Sequence, residues 1–227
     1  MPGSTFSVTD VAKRLDHAVL RPEATAADLA RHARMCRDRG VGCLCVRSVD
    51  VAAARRVLAD SPVVVAAVIG FPHGGQRAEV KSHEAELAIA DGARELDMVI
   101  ALGPLRSGDT PAVRADIAAV VAVARPAGVL VKVILETCFL TPEQIVTACH
   151  LAEEAGANFV KTSTGFGPAG ATPEAVRIML AATGGRLGVK ASGGIRTWED
   201  AVGYLALGCQ RLGVGDAAAI LDGVPTA

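Results

Sequence analysis

A chain of 227 residues with 23 Lys and Arg against 24 Asp and Glu has a net charge of −1, and none of its basic runs exceeds a pair. That removes the electrostatic footprint of a nucleic-acid binder and leaves a small metabolite as the expected partner. Hydrophobic residues make up 51% and aromatics 3%, so the core has to be layered from Ala, Val and Leu.

Apolar runs fall short of the roughly 20 residues that span a bilayer, and "MPGSTFSVTD" lacks a basic region followed by an apolar one. A soluble, cytoplasmic protein without a membrane partner is expected. The six cysteines, at 36, 43, 45, 138, 149 and 209, form neither a CxxC pair nor a zinc-like spacing, and are expected to be reduced, buried thiols.

In chain order, strand-like runs occur at 15–20, 42–46, 63–69, 94–100, 129–135, 158–162, 187–190 and 210–214. Ala-rich helical stretches separate them. "TPEQ" at 141 has a capping threonine, a first-turn proline and a glutamine placed for a capping box, and "TPEA" at 172 and "TWED" at 197 repeat the form. Gly40, Gly92, Gly156 and Gly208 each follow a helical stretch and are expected to be left-handed caps. Eight strand and helix pairs without a linker predict the α/β class: a single (β/α)8 TIM barrel, one domain over 1–227 with its core at about 15–222. A doubly wound open sheet is the alternative, because closure is not written in the pattern.

The 18 arginines outnumber five lysines, at 13, 81, 132, 161 and 190, yet three of the five fall inside predicted strands. Arginine serves as well on a solvated surface, whereas only a lysine amine becomes neutral and nucleophilic near pH 7. In "RELDMVI", period two puts Leu96, Met98 and Ile100 on the helix-facing side and turns Glu95 and Asp97 inward. In "VLVKVILET" the same alternation sends Lys132 and Glu136 inward. Lys161 and Lys190 fall at carboxyl strand ends, where barrel active sites form, and Asp16 joins them from the first strand.

Two lysines brought close disfavour each other's protonation. The plainer reading, a satisfied ion network, fits Lys132, Glu95 and Glu136 at least as well as chemistry does. Glycine-bearing loops after the last three strands, with Thr164, Gly165, Gly193, Gly194, Gly213 and Gly215, are suited to an anionic ligand such as phosphate.

The runs "LDHAVLRPEAT", "VIGFPHGGQRAEVKSHEA", "ELDMVIALGPLRSGD", "VKVILETCFLTPEQI", "FVKTSTGFGPAGAT" and "VKASGGIRT" follow one another in register. Together they resemble the deoxyribose-phosphate aldolases. The resemblance implies a class I aldolase with a (β/α)8 fold and neither a metal nor an organic cofactor. Such an enzyme reversibly cleaves 2-deoxy-D-ribose 5-phosphate to D-glyceraldehyde 3-phosphate and acetaldehyde. It further implies that Lys161 is the Schiff-base nucleophile, that Lys190 lowers the Lys161 pKa and assists proton transfer, and that Asp97 is a proton relay. A homodimer is the assembly considered.

The last loop departs from the family pattern. Where relatives commonly carry hydroxyl residues, this chain reads "RLGVGDAAAI", so Asp216 either repels a phosphate or caps the terminal helix. Ala101 replaces a frequent asparagine. A sugar-phosphate-binding barrel with relaxed or lost activity is the competing function. A zinc aldolase is disfavoured because the five histidines, read as lone turn or helix-surface residues, show neither HxH nor HExxH. A phosphosugar isomerase would not need the paired lysines. Cys45, on a short strand with its face undecided, is expected to be an inert thiol.

Overall fold

The computed structural model describes residues 6–225. Residues 1–5 and 226–227, the extremes of the expected single domain, lie outside the described residues. A short helix α1 (Val8–Ala12) leads into β1 (Leu15–Val19), α2 (Ala26–Asp38), β2 (Cys43–Val46), α3 (Val51–Val57), β3 (Val64–Ile69) and α4 (Ala78–Ala90). Next come β4 (Glu95–Val99), α5 (Leu102–Arg106), α6 (Thr110–Ala124), β5 (Leu130–Ile134) and α7 (Pro142–Glu154). The chain continues through β6 (Phe159–Lys161), α8 (Pro173–Thr183), β7 (Gly188–Ser192), α9 (Trp198–Leu207), β8 (Arg211–Val214) and α10 (Ala217–Asp222).

All strand pairs are parallel, and β8 pairs back onto β1, with Asp16 opposite Gly213. The sheet closes in the order β1 to β8. This is the expected (β/α)8 barrel, and the open-sheet alternative falls on the β1–β8 pairing.

The local chemistry explains the segmentation. Thr141 and Thr197 accept from the amides of Gln144 and Asp200, whose side chains reach back in capping boxes, while Thr172 caps α8 without one because Ala175 has no group to return. Gly40, Gly92, Gly156 and Gly208 all have positive φ, the conformation in which a side chain would strain.

Two layers of packing follow from strand alternation. Leu96, Met98, Val131, Val133, Val189 and Leu212 face the helices in the main apolar core, with Leu15 and Val19 from β1. A smaller apolar cluster, Leu20, Cys43, Cys45, Ala66 and Val68, fills one side of the barrel interior. Cys45 therefore points inward. Burial, and after it the Asp97 charge, pushes its thiol up to about 11, so it stays protonated and unreactive at neutral pH.

The expected strand ends need one correction. β7 continues to Ser192 rather than stopping at Lys190, which puts Lys190 in the middle of the strand instead of at its mouth. Ser192 pairs with Gly213 of β8, and this pairing extends the strand. Gly213 is itself part of β8, and a side chain there would collide with Ser192 Cβ at 2.6 Å and press on Lys190 Cε at 3.2 Å.

Candidate active site

Asp97, in the middle of β4, is fully buried and accepts from three ammonium groups. Its Oδ1 takes Lys132 Nζ at 2.8 Å, and its Oδ2 takes both Lys161 Nζ at 2.8 Å and Lys190 Nζ at 2.7 Å. Sheet register creates the convergence: Asp97 lies opposite Lys132 across β4 and β5, and Lys161 lies opposite Lys190 across β6 and β7. Toward the amino ends of the strands, Lys132 also holds Glu95, Lys190 also holds Asp16, and Arg211 bridges Asp16 and Glu95.

Seven charged groups thus form one network, buried except at the partly exposed Arg211, with Asp16, Glu95 and Asp97 facing Lys132, Lys161, Lys190 and Arg211. Lys132 meets three carboxylates, Lys190 and Arg211 two each, and Lys161 only one, through an oxygen it shares. Cations exceed anions by one, and Lys161 is the cation the network holds least. Buried charges persist only with such pairing, since desolvation costs several kcal/mol per ion.

Electrostatics fixes the resting state of the other members. Burial alone would raise the Asp97 pKa, but Lys132, Lys161 and Lys190 outweigh it and hold the carboxyl well below the usual range. Burial likewise opposes Asp16, yet Lys190, Lys132 and Arg211 bring it to about 2. For Lys190 burial pulls downward, and Asp16 and Asp97 override it, leaving the ammonium above its ordinary value. Lys161 and Lys190 share one oxygen of Asp97.

A cavity of about 980 Å³ opens over this network at the carboxyl ends of the strands. Lys161, Thr164 and Gly165 line it from β6 and its loop, Gly193 and Gly194 from the loop after β7, and Gly213 and Gly215 from β8 and its turn. Lys161 alone of the seven charged groups lines the wall. Asp97 and Lys190 lie behind it. Asp16, expected to touch the ligand, is instead fully buried one layer down, with its oxygens held by Lys190 and Arg211.

Lys132 is buried as the ion-network reading required, and Glu136 is buried apart from that network. Glu136 has a positive φ of 53°, a strained conformation for a non-glycine residue. Its carboxylate accepts from the Thr164 amide and hydroxyl. The Thr164 hydroxyl also accepts from Phe166 N at 3.0 Å. Glu136 therefore holds the loop beside Lys161, and Thr164, its proton already committed, shapes the wall rather than donating to a ligand.

Other cavity residues escaped the sequence reading: Phe166, Ser192, Arg196 and His32. Arg196 had a local signal, a cation just past the glycine pair in "GGIRT". His32 had none. The surface-histidine reading also fails for His17, which is buried on β1 and bonded to His32, and Lys81 proves buried against Asp116 and the Val99 carbonyl. Asp216 accepts from Ala219 N at 3.0 Å, so it caps α10 while lining the cavity. Ala101 occupies the N-cap of α5 without a side-chain bond. Among the described residues, the one cluster with metal-ligand geometry, Asp16, Cys43 and Glu95, has its carboxylates engaged by Lys132 and Arg211.

A closed (β/α)8 barrel with one lysine brought from a buried carboxylate network to a cavity wall at the carboxyl ends of the strands has the architecture of a barrel enzyme. Residues 10–210 match the model of the DeoC/LacD family aldolases. The chain is 47% identical to the deoxyribose-phosphate aldolase of Thermococcus gammatolerans over 220 residues, 96% of this chain and 98% of that protein. It is 50% identical to that of Nocardia farcinica over 218 residues, 96% of each. The tetrameric structure of deoxyribose phosphate aldolase from Aeropyrum pernix superposes with a TM-score of 0.89 at 34% identity, covering 95% of this chain and 91% of that one. The chain belongs to the DeoC/LacD aldolase family, and is a lyase.

Proposed function

We propose that this aldolase reversibly cleaves 2-deoxy-D-ribose 5-phosphate to D-glyceraldehyde 3-phosphate and acetaldehyde through an imine on Lys161, in deoxyribonucleotide breakdown. The observation that carries the reading is that Lys161 alone among the seven charged groups lines the cavity, with a single shared carboxylate contact. A neutral amine is the nucleophilic form, and this is the lysine of the network with the fewest carboxylate partners.

In this mechanism the Lys161 amine, 2.8 Å from Asp97 Oδ2 in the free protein, adds to the C1 aldehyde of the open-chain sugar, and loss of water leaves an iminium ion. The C2–C3 bond then breaks as a base takes the C3 hydroxyl proton, and its electron pair moves to C2 and the iminium nitrogen. Glyceraldehyde 3-phosphate departs. Protonation at C2 of the remaining enamine and hydrolysis of the resulting iminium release acetaldehyde and restore Lys161. Asp97, whose Oδ2 is the only carboxylate oxygen at the Lys161 nitrogen, and Lys190, which donates to that same oxygen, are the proposed carriers of these protons.

The phosphate is assigned to the wall formed by Gly193, Gly194, Gly213 and Gly215, where backbone amides are the available donors. Gly165 leaves that approach open, since nothing lies within 4 Å of where its Cβ would be. The complete Asp97, Lys161 and Lys190 set supports catalysis over the binding-only alternative. The six free cysteines support a cytoplasmic setting. A homodimer remains the proposed assembly, and light scattering of the purified protein would decide it.

Acetaldehyde release from deoxyribose 5-phosphate, measured with and without EDTA, tests the function. Borohydride reduction with acetaldehyde should leave a two-carbon adduct on Lys161, and Lys161→Arg should abolish turnover; a fully active arginine variant sinks the mechanism.

A further inference from the structure

His17 stands where β1 should present an aliphatic side chain. Its strand neighbours Leu15 and Val19 face the helices, and across the sheet it sits opposite Leu44 and Val214, so the imidazole is buried in the apolar layer between barrel and helices. Both ring nitrogens are used. Nδ1 accepts from the amide of Ala217, the first residue of α10, at 3.2 Å. Nε2 lies 2.8 Å from Nδ1 of His32 on α2, with the two rings stacked at 4.8 Å.

The bonding partners fix the protons. A backbone amide only donates, so His17 Nδ1 is bare and its proton sits on Nε2, from which it is donated to His32 Nδ1. His32 then carries its own proton on Nε2, at the cavity wall, where the Arg31 guanidinium stands 3.5 Å away, too far to claim that nitrogen as an acceptor. One further proton breaks this order wherever it lands. On His17 Nδ1 it opposes the Ala217 amide, and on His32 Nδ1 it opposes the His17 donor.

Only Gly215 and Asp216 separate the end of β8 from α10, and both line the cavity. Whatever holds the Ala217 amide therefore aims that turn. We infer that His17 and His32 are positioning residues which, as a neutral hydrogen-bonded pair, hold the Gly215–Asp216 turn in the conformation that receives the substrate's phosphate. This deepens the proposed function and rests on its placement of the phosphate at that wall.

The charges around the pair come from α2, where Asp28 and Arg31 flank His32, and from the turn itself, where Asp216 faces both rings. Burial acts first on each histidine and favours the neutral form. His32 and then Asp216 modify His17, while Arg31, Asp28 and Asp216 modify His32. The net effect keeps both pKa values below the ordinary 6.5, so the pair is intact at neutral pH and opens in acid.

The test uses steady-state kinetics with deoxyribose 5-phosphate and deoxyribose from pH 3.5 to 7.5, on wild type, His17→Leu and His17→Asn. Leucine keeps apolar bulk and removes the acceptor; asparagine presents an oxygen near the Nδ1 position and does not titrate. The expected result for His17→Leu is a five- to tenfold fall in the kcat/KM ratio of phosphorylated over unphosphorylated substrate, arising in KM, with His17→Asn restoring it.

In acid, the wild-type ratio should fall below that of His17→Asn. The phosphate of the substrate titrates equally for both proteins and cancels. If His17→Leu does not fold, the acid comparison of wild type with His17→Asn decides alone. An unmoved ratio, or equal losses on both substrates, overturns the pairing role while leaving the aldolase reading intact. An inactive wild-type protein overturns both.

Discussion

Lys161 Nζ and Asp97 Oδ2 stand 2.8 Å apart at the base of the cavity, joining the one lysine that reaches the ligand space to a fully buried carboxylate. Asp97 is held ionised by three lysines at rest, so it would present a negative charge to the iminium proposed on Lys161 and could take up a proton only in passing. Asp97→Asn should lower kcat/KM at least about a hundredfold. Leaving three buried ammonium groups short of an anion should also cost about 3–5 kcal/mol in a denaturant titration. Near-wild-type turnover by this variant would remove Asp97 from the mechanism.

Lys132 and Lys161 touch the same carboxylate and should nevertheless respond in opposite ways. Lys132 is fully buried between Glu95 and Asp97, so Lys132→Met should destabilise the fold by about 3–5 kcal/mol. Its capacity to trap acetaldehyde should survive where the protein is folded. Lys161→Met removes the surplus cation, so trapping should vanish while the melting temperature stays within a few degrees of wild type or rises. Matching stability losses in the two variants would contradict the charge count.

Asp216 both caps α10 and lines the cavity, and Asp216→Ser separates the two roles. Serine preserves the bond to the Ala219 amide and removes the carboxylate. The preference for deoxyribose 5-phosphate over deoxyribose should rise about two- to fivefold at low salt and shrink as salt screens the charge. An unchanged preference would leave capping as the whole role of this side chain.

Acid should weaken the fold in two stages. His17 is neutral in the fold with a pKa near 4, driven down by burial and then by His32, against 6.5 when exposed. Stability is undiminished above pH 6.5 and falls from there toward pH 4, because the unfolded chain binds a proton that the folded chain refuses. Asp16, at about 2 against 3.8, contributes stability that is present above pH 3.8 and is lost between 3.8 and 2. Denaturant midpoints followed over this range should show the first stage reduced in His17→Asn. An equally steep decline in that variant would exclude His17 as its source.

The strands were legible because period two and turn chemistry are local properties, and each of the eight appears within a few residues of its predicted bounds. Lys132, Lys161 and Asp97 were legible as misfits in apolar runs. His17 was misread, since an imidazole with two buried partners looks in sequence like one on a surface. His32 lies 15 residues from its partner, and the Ala217 amide lies 200 residues away. Lys81 was missed for the same reason: its partner Asp116 is 35 residues on, and nothing local marks either as buried.

Composition and periodicity by themselves determined the alternation of eight strands and helices, the inward face of β4 and β5, and the choice of lysine at three strand positions. Tertiary structure alone decided that β8 closes onto β1 and that Asp97 is shared among three ammonium groups, of which Lys161 is the one at the cavity. The reason is physical. A side chain's face follows from its own strand, whereas its charge state and access depend on which distant strands the barrel brings to within 3 Å of it.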